Sequence, residues 1–76
     1  MYLIKIAMAK QLFSAGVLNS AAISQAPMKN GYMVTFVMGD QGQILSNDKG
    51  SERIFKSIET ARKVIKDVGF NSMTLL

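Results

Sequence analysis

SERIFKSIETARKVIKDVGF, residues 51–70, reads as an extended segment running into a capped amphipathic helix, and the rest of the chain gives that unit a sheet to pack on. In the extended part Arg53 and Phe55 point one way and Ile54 the other. Ser57 stands where a helix N-cap belongs, and Glu59 follows in the first turn, where negative charge complements the helix dipole. Ile58, Ala61, Ile65 and Val68 recur at spacings of three, four and three, flanked by Val64, while Arg62, Lys63, Lys66 and Asp67 crowd the other side. The apolar side must be buried. Gly69 comes directly after the last periodic position, as a C-cap wants, and Phe70 is placed to fold back over the last turn.

At 76 residues the chain is a single domain, and a domain of that size buries only about 60% of its unfolded surface, so self-association would help it. The apolar fraction of 49% exceeds what so small a core needs, and the six methionines are adaptable fillers of cores and contact surfaces alike. A homodimer is expected. Cysteine is absent, which leaves no disulfide framework and no thiolate metal site and suits a reducing, cytoplasmic setting. The net charge is +4. Lys49, Arg53, Lys56, Arg62, Lys63 and Lys66 outweigh Glu52 and Glu59 within residues 49–66, while the remainder of the chain is neutral. Positive charge clustered on an extended segment and the helix after it has the look of a phosphate footprint. The plainer reading is a solvated helix face with Glu59–Lys63 and Lys63–Asp67 pairs.

From the start of the chain, MYLIKIAMAKQLFSA (residues 1–15) carries Ile4, Met8, Leu12 and Ala15 on one stripe and predicts a helix stopped by Gly16, although Tyr2, Ile4 and Ile6 also alternate as a strand would. Lys5 and Lys10 interrupt what an export signal would need as an apolar run, and no stretch reaches the roughly 18 apolar residues of a membrane span. Asn30-Gly31 is the strongest hairpin signal, with a strand from Ala21 to Met28 before it and Tyr32 to Met38 after it. Pro27 cannot donate a ladder hydrogen bond, so it places that first strand at an edge or ends it. YMVTFVM is apolar on both faces and reads as a central strand. Gly39 to Gly42 is a turn, Gln43 to Asn47 a shorter strand, Asn47 to Gly50 another turn, and Ser51 to Lys56 pairs back to complete a four-strand antiparallel meander. Ser72 to Leu76 either adds a short strand at a sheet edge or pairs across a dimer. The expected fold is α+β: N-terminal helix, meander, second helix and short C-terminal strand, with both helices on one face of the sheet.

The residues offer little chemistry. Without His or Cys, the usual general base, nucleophile and soft metal ligands are missing. Asp40, Asp48, Glu52, Glu59 and Asp67 fall in turns, an exposed strand position and the outer helix face, where solvated roles are the rule. GDQG around Asp40 lacks the Lys-Ser/Thr of a phosphate-binding loop, and Asp40 and Asp48 lack calcium-loop spacing. No enzyme, cofactor or metal site is expected. Tyr32 and Phe36 share a strand face and could form a base-stacking platform, but two helices need a face to cover, which favours the core for Phe36 and Phe55.

AKQLFSAGVLNSAAISQAPMKNGYMVTF, followed by NDKGSERIFKSIETARKVIKDVGF, resembles a family of small proteins encoded on bacterial plasmids and integrative conjugative elements, some of them partition-associated or plasmid-replication accessory proteins. The matching features are a helix ending in LFSAG, a glycine-aromatic hairpin, the G-x-x-R-I-F-K-S-I segment and a helix closing on V-G-F. The resemblance covers nearly the whole chain and carries over the Arg-x-Phe-Lys segment, here Arg53, Phe55 and Lys56, at the junction before the second helix. Relatives often look alanine-rich in that helix; this chain carries Arg62, Lys63 and Lys66 instead. The resemblance implies an accessory or regulatory protein of a mobile element; taken with the charge cluster, the expectation is a non-enzymatic, DNA-associated protein contacting phosphate through Arg53, Lys56, Arg62, Lys63 and Lys66. The alternative is an adaptor, without direct DNA binding, for a partition or replication protein.

Overall fold

The Asn30-Gly31 hairpin holds the centre of the sheet. In the computed structural model, which describes residues 2–27 and 29–76 and only the backbone of Tyr2, the chain runs β1 (Tyr2–Ile4), α1 (Ile6–Ser14), β2 (Ser20–Gln25), β3 (Tyr32–Met38), β4 (Gln41–Leu45), α2 (Ile58–Val68) and β5 (Thr74–Leu75). The five strands lie in the order β1-β4-β3-β2-β5. β3 is the central strand, antiparallel to β2 and β4, and β1 and β5 add parallel edges to β4 and β2. Pro27 stands just past the end of β2, as its missing donor requires. Met1 and Met28, where the expected first helix began and the expected first hairpin strand ended, lie outside the described residues.

Two expectations need correction. The first helix does not begin the chain: Tyr2–Ile4 is a strand paired with Gln43–Leu45, Lys5 has extended backbone, and the helix starts only at Ile6. The four-strand antiparallel meander is a three-strand one, because β1 already occupies the outer side of β4. Ser51 to Lys56 therefore has no lane in which to pair along β4. It crosses beyond that strand's end, where Arg53 N–H donates to the Leu45 carbonyl (2.9 Å) and Phe55 exchanges two backbone hydrogen bonds with Tyr32 (2.8 and 2.9 Å). β4 itself is shifted two residues earlier than expected, to Gln41–Leu45, which shortens the preceding turn to Gly39-Asp40.

Register assigns the two faces of the sheet, since directly paired residues share a side. Ala21 pairs with Phe36, Ile23 with Val34 and Phe36 with Gln43, and all five are buried beneath the helices. Ala9 of α1, Ala61, Ile65 and Val68 of α2, Leu45 and Phe55 close the same core. Phe36 and Phe55 are thus core residues and Tyr32 is half-buried on the same face, so β3 offers no stacking platform.

The second helix is capped as its residues require. Ser57 Oγ accepts the Thr60 N–H (3.2 Å), and the Gly69 N–H returns to the carbonyls of Ile65 and Lys66. Gly69 has φ +136°, a conformation side chains disfavour. Phe70 then folds back with its ring edge-on to Phe13 (4.7 Å between centroids) and stacked at 6.0 Å on Phe36, which ties α1, α2 and the sheet together.

Candidate nucleic-acid interface

Burying Ala61, Ile65 and Val68 fixes the rotation of α2, so Glu59, Arg62, Lys63, Lys66 and Asp67 are all exposed. Arg62 and Lys66, four residues apart, line one side of an open groove of about 360 Å³ whose other wall is Phe70, Asn71, Ser72 and Met73 leading into β5. Lys66 also lines a second hollow with Lys63, Val64 and Asp67. Lys66 lies in the last turn, where the helix dipole favours a cation. The structure brings these three expected residues together on one element.

The other two stand apart from them. Lys56 is exposed just before the Ser57 cap and lines a hollow at the β2-β3 hairpin with Lys29, Asn30 and Tyr32. Arg53 is partly buried, its guanidinium 4.9 Å above the Phe55 ring, and it borders a hollow with Lys5 and Asp48. The cation-π contact gives Arg53 a packing role that its position in the sequence did not announce. Lys5 and Lys29 are the cations that sequence reasoning left out: each is brought beside a site residue only by tertiary pairing across the chain.

Acidic partners do not neutralise α2. Among the described residues the ion pair present is Lys29 Nζ to Glu52 Oε1 at 2.9 Å, and neither i,i+4 pair expected along α2, Glu59–Lys63 or Lys63–Asp67, is formed. The hydrogen bond from Lys29, then the Glu52 backbone N–H, then the charge of Lys29 hold the Glu52 carboxyl below its ordinary value. Asp40 and Asp48 lie in turns, and among the described residues no group of three or more carboxylates could hold a metal ion. No described helix is long and apolar enough to cross a membrane.

A five-stranded mixed sheet covered on one side by two helices, the second presenting unpaired cations outward, defines a small basic α+β domain. The chain belongs to the family described as ParC-like, which it matches over residues 4–75. No match was found among curated proteins.

Proposed function

We propose that the protein is a non-enzymatic, DNA-associated accessory or regulatory protein of a plasmid or other mobile element, acting in the cytoplasm. In this reading Arg62, Lys63 and Lys66 make the primary phosphate contact, with Lys56 and Arg53 flanking it. What carries it is that three exposed cations on little more than one turn of α2 make no ion pair among the described residues. Like charges so close on one helix repel, at a few tenths of a kcal/mol per pair, and a polyanion removes that cost. Duplex DNA, with one negative charge per about 1.7 Å of axis, is a suitable one. The resemblance to partition-associated and plasmid-replication accessory proteins supports the mobile-element setting.

A second reading, an adaptor for a partition or replication protein, draws on the exposed apolar residues Leu3, Met8 and Val17. A gel-shift titration separates the two. Wild-type protein is expected to retard a duplex fragment at low salt, and the Arg62→Glu/Lys63→Glu/Lys66→Glu variant, shown to be folded by circular dichroism, is expected to lose at least about 100-fold in affinity. Unchanged retardation by the folded variant overturns the phosphate role of α2. No retardation by the wild type removes the DNA reading and leaves the adaptor.

A further inference from the structure

The helices cover one face of the sheet; the other is open. Register places Leu3, Ile44, Thr35, Ala22 and Thr74 in one row across all five strands of that open face, with Gly42, Val37 and Ser20 in a second row and Met33 and Ser24 in a third. Leu3 is 46% exposed, and Ala22, Met33, Thr35, Val37 and Ile44 are each only partly covered. No residue in any of the five strands is charged, although the chain carries nine basic and five acidic residues. A lone solvated sheet face ordinarily alternates apolar-in with polar-out and carries charge.

We propose that this face docks a second copy of the chain, about a two-fold axis running along β3. The strand order itself favours that axis. With β3 central, a rotation about it lays β4 over the partner's β2 and β1 over the partner's β5. In the first row Ile44 then meets the small Ala22, Leu3 meets Thr74, and Thr35 meets its own copy. In that row the large side chains, Leu3 and Ile44, sit on the β1-β4 half and the small ones, Ala22 and Thr74, on the β2-β5 half, so there each copy supplies the hollows that the other fills. Face-to-face sheets pack about 10 Å apart, and such interdigitation is what fills that gap.

Charge agrees with this occupant, and area sets how weakly it is held. Each copy carries +4, and an uncharged face lets two of them meet without placing like charges in contact. The five strands hold 23 residues in all, which at about 3.3 Å per residue and about 4.8 Å between strands present roughly 360 Å² per copy, or about 700 Å² in total, the size of a weak, transient contact. The dimer is therefore reversible and forms only at high protein concentration. Its layers run helix, sheet, sheet, helix, with both α2 helices outward. This inference does not rest on the DNA reading and can fail or stand without it.

Sedimentation equilibrium from about 1 µM to about 1 mM tests it. Wild-type protein is expected to rise from 8.3 kDa toward twice that mass. Ile44→Lys and Ala22→Glu, each with a native circular dichroism spectrum, are expected to weaken the dimer at least about 100-fold, as buried unpaired charges do. An equal mixture of the two is expected to recover a dimer, because the axis sets the new lysine opposite the new glutamate. Thr35→Lys, at a partly exposed polar site on the axis, serves the same purpose should either variant fail to fold. A wild type that stays at 8.3 kDa throughout, a dimer indifferent to these charges, or variants that do not recover on mixing overturns the proposal.

Discussion

Gly69 does two jobs that no other residue could combine. It ends α2 at φ +136°, and it leaves room for Phe13, whose ring carbons, Cζ at 2.9 Å among them, would meet any Cβ placed there. Gly69→Ala is expected to destabilise the domain by about 1–3 kcal/mol, read as a fall in thermal midpoint of about 4–8 °C per kcal/mol. The capping role of Gly69 and the fold-back of Phe70 were legible in the residues, since each follows from position relative to the last apolar repeat. Phe13 as their common partner was not, because it lies some fifty-six positions away and only the packing of α1 on α2 brings it there. Arg53 makes the same point: its charge was legible, its seat on Phe55 was not. Glu52 titrates below 4.5 in the folded chain because Lys29 hydrogen-bonds its charged form. Its stabilising effect is therefore present above that value and is lost as pH falls through the folded range beneath it. Glu52→Gln is expected to make the acid limb of a stability-against-pH curve shallower below pH 4.5 while leaving its neutral region nearly unchanged, as suits an exposed pair.

At the scale of elements, α2 could be drawn from the chain almost to the residue, because cap, period and stop agree with one another. Ser57→Ala removes the acceptor for the Thr60 N–H and is expected to cost about 1 kcal/mol, measured by urea or thermal unfolding. The ends of the sheet were harder to read. Ile4, Met8 and Leu12 fall on a helical stripe that continues past the true helix start, and the same Ile4 serves equally well in a strand. What decides is non-local: the free side of β4 needs a partner, and Tyr2–Ile4 supplies one from about forty residues away. That choice then denies Ser51 to Lys56 its place as a fourth meander strand. One local ambiguity thus produced both errors, since the segment that claims the edge of β4 determines what the other can do.

Across the whole molecule, charge is segregated by layer. The strands carry none, α1 carries Lys10 alone, the turns carry both signs, and α2 holds Arg62, Lys63 and Lys66, none of them in an ion pair among the described residues. The sheet's covered face holds the core, its open face is where we place a second copy, and the outward side of α2 is where we place phosphate. The net charge of residues 49–66 could be counted from the chain. Its division among three places could not, since Lys56 faces the hairpin and Arg53 the start of α1. The dependence of DNA affinity on salt tests the central claim most directly. Phosphate contact by Arg62, Lys63 and Lys66, with Lys56 and Arg53 flanking, predicts that log Kobs for duplex DNA falls against log salt with a slope of about −2.7 or steeper, and that reversing the three charges lowers affinity at least about 100-fold. A wild-type affinity that does not change with salt, or an equal slope and affinity in the charge-reversed protein, would contradict it.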